Sequence, residues 1–195
     1  GLIIGSTVLM VLIIGALVLN CVLENKLKSI LDNVSSAIKI KYQDVHVNAL
    51  TGSVKIIQPK ILVYGKTTNT MVVEIESNEL SINNLGYWNY FFNGKISIET
   101  ISINQPKARY HHNELANLKS FQKSYTASFN EEIDIETIEL INGDIEVFNH
   151  SDDSLILKAE NINFEINSVG LSSTSLKQKI PFTYGNYQLT YNNLF

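Results

Sequence analysis

Hydrophobic and polar positions follow three patterns in succession along this chain. From Leu2 to Leu23, seventeen of twenty-two residues are apolar and none is charged. Leu2, Ile3, Ile4, Val8, Leu9, Val11, Leu12, Ile13, Ile14, Leu17, Val18, Leu19, Val22 and Leu23 make up most of the run. Gly5, Ser6, Thr7, Gly15 and Asn20 interrupt it, and such residues are tolerated in membrane helices. As a helix the run spans about 33 Å, against about 30 Å of bilayer hydrocarbon. It exceeds the roughly 7–15-residue core of a signal peptide, and no small-residue cleavage site follows. Residues 1–23 are therefore predicted to form an uncleaved transmembrane signal anchor. The spacing then turns amphipathic: Leu23, Leu27, Ile30, Leu31, Val34 and Ile38 recur at helical intervals among Glu24, Lys26, Lys28 and Asp32. Residues 24–41 are predicted as a helical continuation whose apolar stripe docks on the domain that follows.

From Tyr42 onward the period is two. Val45, Val47 and Ala49 alternate with Asp44, His46 and Asn48, and Thr51-Gly52 turns the chain. Further strands are predicted over 54–64, 71–85, 96–110, 133–148 and 155–169, longer than the usual five or six residues. The alternation slips by one residue inside several of them. Ile96 and Ile98 share one face and Ile101 and Ile103 the other; Ile133 and Ile135 give way likewise to Ile138 and Leu140. The slip falls on Glu99-Thr100 and on Glu136-Thr137, the sequence signature of a β-bulge. The runs from Met71 and from Leu155 slip too.

A recurring segment underlies this pattern. Ile56-Ile57-Gln58-Pro59-Lys60 leads to Tyr64, Ile103-Asn104-Gln105-Pro106-Lys107 to Tyr110, and Ile141-Asn142-Gly143-Asp144 to Phe148. Proline cannot donate to a ladder and sits at edges or bulges, so kinks are predicted at Pro59, Pro106 and, by analogy, Gly143, against an Asn-Gly hairpin there. Gly94 is read as capping a helical turn, and Leu115, Leu118, Phe121, Tyr125 and Phe129 as an amphipathic helix.

Composition removes function classes. A net charge of -4 with scattered lysines lacks the basic cluster that nucleic acid requires. The single cysteine, Cys21, can form neither an internal disulfide nor a metal cluster. His111-His112 followed by Glu114 lacks zinc-site spacing, and no nucleophile or phosphate-loop motif occurs. No enzyme, cofactor or metal site is expected. The chain opens on Gly1, not Met, and stops just after a strand-like run, Tyr187 to Tyr191; it is read as the N-terminal part of a longer protein.

The ordered features have a likeness. A membrane helix, an amphipathic continuation, Val45 to Gly52, the strand to Gln58-Pro59-Lys60, and Leu80-Ser81-Ile82 come first. A turn at Asn93-Gly94-Lys95-Ile96, the strand to Gln105-Pro106-Lys107, a helix, and Ile138 to Ile145 complete the series. This series resembles the N-terminal region of the AsmA-like family, relatives of TamB and YhdP, over nearly the whole chain. The resemblance implies an inner-membrane anchor with a periplasmic body, whose long curved strands form an open, taco-like groove with an apolar interior. It implies a phospholipid cargo carried between inner and outer membranes in support of outer-membrane biogenesis.

The expected fold is thus mainly β with an N-terminal transmembrane helix: long, bulged antiparallel strands over 42–195 plus one or two short amphipathic helices. Val73, Ile75, Ile96, Ile98, Ile133, Ile135, Leu155 and Leu157 are the candidate groove-lining residues. The alternative is a membrane-tethered β domain acting as a structural or assembly subunit with envelope protein partners.

Overall fold

The computed structural model describes residues 21, 24–25, 27–29, 31–32, 38–64, 71–86, 92–112, 132–172, 174–175 and 182–195. The strands are β1 (Ile38–Lys41), β2 (Asp44–Asn48), β3 (Ser53–Ile57), β4 (Lys60–Tyr64), β5 (Met71–Glu76) and β6 (Glu79–Leu85). They continue with β7 (Lys95–Asn104), β8 (Lys107–His112), β9 (Glu132–Asn149), β10 (Leu155–Leu171), β11 (Asn186–Thr190) and β12 (Asn193–Leu194). All belong to one sheet.

Most short strands are halves of longer ones. Lys41↔Lys60 and Asp44↔Ile57 keep a single antiparallel register, so β1–β2 runs as one line beside β3–β4. The same continuity joins β5 to β6, β7 to β8 and β11 to β12. The sheet therefore has seven lines in chain order: β1–β2, β3–β4, β5–β6, β7–β8, β9, β10 and β11–β12. The first and last lines do not pair with each other, so the sheet stays open. Every substantial strand–strand contact is with a hydrogen-bonded neighbour, and no second sheet stacks on this one among the described residues.

Three expectations are corrected. Neighbouring lines are not all antiparallel: β7–β8 and β9 are parallel, from Lys95↔Glu132 to His112↔Asn149. A parallel pair needs a crossover instead of a tight turn, and residues 113–131, which held the predicted amphipathic helix and lie outside the described residues, make that connection. The helical continuation does not reach residue 41. Ile38 belongs to β1 and pairs with Val63, because Ile38 and Ile40 alternating with Lys39 and Lys41 fit a two-sided strand better than a stripe. The sheet therefore starts at Ile38, not at residue 42.

Helical geometry holds at the described positions from Cys21 to Asp32. No helix of the described residues is long and apolar enough to cross a membrane; the anchor predicted over 1–23 lies outside them, Cys21 excepted. Phe92 and Asn93 form a helical turn that ends at Gly94, where φ is +64°.

Two apolar clusters lie on the sheet. Val45, Val47, Val54 and Ile56 are buried together against Leu80, Ile82, Tyr42 and the helix residues Leu27 and Leu31. Ile135, Ile166 and Val169 are buried against Ile98, Ile101, Ile133, Ile138, Phe164, Leu171 and Phe182.

Candidate functional site

The feature with functional potential is one face of the sheet. Partners on adjacent strands share a face, so the register can be read across the lines. Val45, Ile56, Leu80, Ile103, Leu140, Phe164 and Leu189 stand opposite one another in turn. Next to them run Val47, Val54, Ile82, Ile101, Ile138, Ile166 and Tyr187. Leu85, Ile98, Ile135 and Val169 form a third row. Ile40, Ile61, Ile75, Ala108, Ile145, Ala159 and Leu194 form a fourth. The apolar face thus extends from one edge of the sheet to the other.

Strict alternation would not keep these rows on one face, since Ile98 and Ile101, Ile135 and Ile138, and Ile166 and Val169 are three residues apart. Their shared cluster requires an extra residue in each line, supplied by two seams that cross the strands. The first passes through Gln58, Asn78, Gln105, Asn142 and Asn161, and the second through Gly52, Asn84, Glu99, Glu136 and Ser168. At the first seam Gln58 (φ 48°), Gln105 (50°), Asn142 (53°) and Asn161 (53°) adopt the left-handed region; at the second, Gly52 (64°), Asn84 (52°) and Ser168 (58°) do so. Such a residue re-phases its strand and adds twist. Asn and Gly tolerate this conformation best.

Backbone bonds stitch the first seam: Gln58 N–H donates to Asn78 O (2.9 Å), Asn78 N–H to Asn104 O (3.1 Å), Gln105 N–H to Ile141 O (2.8 Å) and Asp144 N–H to Pro106 O (2.8 Å). The Asn78 amide also donates to Gln105 Oε1. Gln58, Asn78, Gln105, Asn142 and Asn161 are exposed, whereas Pro59, Pro106, Gly143 and Ile162 are buried. A Cβ on Gly143 would stand 2.5 Å from Leu140 Cδ2 and 3.1 Å from Pro106 Cγ, so the apolar side of the bend has room for no more than a hydrogen.

In the second seam, the ladder skips Glu99 opposite Glu136 while holding its register between Ile98↔Ile135 and Thr100↔Thr137. Both strands slip together. Asn84 donates to Glu99 Oε2 at 2.8 Å and Thr137 Oγ1 to Asn167 at 2.9 Å. The seams lie six residues apart on lines β5–β6, β7–β8 and β9, about 20 Å along the strands.

The candidate groove residues divide. Val73 and Ile75 stand opposite Tyr110 and Ala108, and Ile96 and Ile98 opposite Ile133 and Ile135, all on the apolar face. Leu157 joins them opposite Val147, but a bulge places Leu155 opposite Phe148. Val147 and Phe148 are consecutive, so Leu155 points to the other face, where Phe148 stacks on His111 at 5.6 Å. Sequence reading passed over Tyr187, Leu189 and Leu194, which carry the apolar rows to the edge and are 63%, 53% and 56% exposed. The alternation of Tyr187, Leu189 and Tyr191 was the available signal.

The opposite face is charge-laddered, with Leu62 buried on it between Lys39 and Glu74 and Phe148 opposite Leu155. Glu74, Arg109, Glu146 and Lys158 stand in register; Arg109 Nε lies 3.3 Å from Glu146 and Lys158 Nζ 2.6 Å from Glu160. Lys60 contacts both Glu74 and Glu76. These carboxylates hold the Lys60 ammonium above its ordinary pKa and the lysines hold Glu76 and Glu160 below theirs. Open depressions of about 520 and 390 Å³ follow the seams: one at the second seam, lined by Asn84, Glu99, Glu136 and Ser168 together with Ile98, Ile135 and Val169, and one at the first seam, lined by Gln105, Asn142 and Asn161 among others. No group of metal-ligating side chains occurs among the described residues.

The helix at 21–32 is tied to the first edge at three levels. Glu24 Oε1 accepts the Val47 N–H at 2.9 Å, Lys28 Nζ meets Asp44 at 3.1 Å, and the Tyr42 hydroxyl donates to Asp32 at 3.2 Å. Asp44 Oδ1 also accepts the Val45 N–H at 2.7 Å, and this bond, with the Lys28 contact, keeps its carboxyl below the ordinary range. Carboxylates therefore cover edge amides that would otherwise recruit another strand. At the opposite edge, among the described residues, β11 pairs only with β10, and all five of its residues are exposed.

No protein-family model, curated protein or solved structure matches this chain.

Proposed function

We propose that this protein is anchored in an inner membrane by residues 1–23 and binds phospholipid acyl chains on the apolar face of its sheet in the periplasm. It conducts them between inner and outer membranes, as the AsmA-like resemblance implies, without catalysis. One observation carries the reading: the seams keep a single apolar face across all seven lines, yet among the described residues no second sheet covers it. From outside the strands, Leu27, Leu31, Tyr42 and Phe182 pack on its two clusters. An ordinary domain buries such a face against another layer; a lipid-binding one leaves it for acyl chains, which it takes up through area removed from water. Curvature supplied by the seams would shape the face into a groove.

The test is lipid analysis of the full chain after mild detergent extraction. Phospholipid should co-purify at stoichiometric levels and fall several-fold in Leu157→Asp and Leu189→Asp, both exposed enough to accept a charge without unfolding the sheet. Absence of phospholipid, or equal amounts in the variants, defeats the proposal. The open β11 edge favours a second reading, in which an envelope partner adds a strand to a tethered scaffold. A photo-crosslinker at position 189 separates the two, giving lipid adducts under the first and a discrete protein adduct under the second.

A further inference from the structure

The helix at 21–32 runs antiparallel to the first edge of the sheet: Glu24 sits at Val47, Lys28 at Asp44 and Asp32 at Tyr42. Cys21, one helical turn before Glu24, therefore lies level with the turn that follows Asn48. Two of the most exposed large apolar side chains lie at this same end, Leu50 at 81% in the β2–β3 turn and Phe92 at 78% before β7. The end is common to both because Gly52 O accepts from Leu85 N–H at 2.9 Å and Ser97 O from Gly86 N–H at 2.8 Å, closing the β2–β3 turn onto the start of the β6–β7 connection.

We infer that this end of the sheet, through Leu50 and Phe92, rests in the interface of the bilayer that residues 1–23 enter. The inference rests on reading those residues as a bilayer span. Large apolar side chains at loop tips remain in water at a free-energy cost unless something removes them from it. The occupant is a lipid surface and not a second protein, because Cys21 lies at that very end of the sheet and belongs in sequence to the apolar run of 2–23. The ends of the apolar rows at Leu85, Ile98, Ile135 and Val169 then stand close to the bilayer, where an acyl chain could pass onto them.

The experiment uses the full chain with Cys21→Ser and one cysteine introduced by Leu50→Cys, Phe92→Cys or, at the exposed first seam, Gln105→Cys, each carrying an environment-sensitive fluorophore. Each is reconstituted into phosphatidylcholine vesicles with or without a headgroup nitroxide. Flotation is measured first; failure to float overturns the anchor reading and this inference together. For floating protein, strong nitroxide quenching and a blue-shifted emission are expected at positions 50 and 92, with weak quenching at 105. Equal quenching at all three positions overturns the inference and leaves the anchor standing.

Discussion

Asn142 provides the most direct test of the seams. It lies in the middle of β9 at φ 53°, exposed, with its N–H donating to Asn163 Oδ1 at 2.9 Å. Replacement by valine leaves that backbone donor in place but puts a β-branched side chain in the left-handed region, which costs about 1–2 kcal/mol for an ordinary L-residue. Asn142→Gly removes the side chain and relieves the strain, offset by roughly 0.5–1 kcal/mol of unfolded-state freedom. Valine should therefore be less stable than glycine by about 0.5–1 kcal/mol, a midpoint difference of roughly 1–4 °C for a chain of this size. Thermal unfolding of the full chain in detergent micelles, followed by circular dichroism in the strand region, measures the difference. High intrinsic strand propensity favours valine over glycine, so the opposite ranking is the natural expectation for an unbulged strand. A valine variant as stable as the glycine variant, or more so, would refute the account of the seam.

Three further outcomes follow from the same geometry. Ile135→Ala, at a residue 6% exposed within the second cluster, should lose about 2–3 kcal/mol, the low end for a buried isoleucine because the face is half open; a loss below about 0.5 kcal/mol would mean that the cluster is not packed in solution. Gly143→Ala should destabilise by about 1–3 kcal/mol through overpacking against Leu140 and Pro106, and Gly143→Ala combined with Leu140→Ala should recover part of that loss in the same melts. Asp44 has its pKa lowered by the Val45 N–H and Lys28, so its contribution to helix docking is present above its unfolded value and lost as pH falls through the folded one. Lys28, raised chiefly by its bond to Asp44, contributes below its unfolded value and loses this as pH rises through the folded one. A spin label on Cys21 should stay immobile from mildly acidic to mildly alkaline pH and gain mobility below the ordinary aspartate range; constant mobility into strong acid contradicts this tethering.

Much of the sheet was legible from local pattern. Period two marked the strand runs because a pleated strand exposes alternate side chains to opposite environments. The slips at Glu99-Thr100 and Glu136-Thr137, and the segments around Pro59, Pro106 and Gly143, fall where the ladder is interrupted or kinked. A bulge must alter the apolar phase of its own strand, and that alteration is written in the residues themselves. Ile38 was misassigned because three-to-four spacing and alternation overlap at a boundary, and only pairing with Val63 decides between them.

The sequence by itself determined most of the strand runs from Tyr42 onward, the re-phasing at Glu99-Thr100 and Glu136-Thr137, and that one stripe of the N-terminal helix is apolar. Tertiary structure alone decided that β7–β8 and β9 run parallel, that the re-phasing points of separate strands fall into two continuous seams, and that Leu155 turns away from Leu157. It also set Glu24, Lys28 and Asp32 against one edge while the other stayed open. The physical reason is range. Alternation and left-handed bulges depend on neighbours two or three residues away, whereas register and edge coverage depend on partners far along the chain, 37 residues in the case of Lys95 and Glu132, and are fixed by hydrogen bonds no local pattern contains.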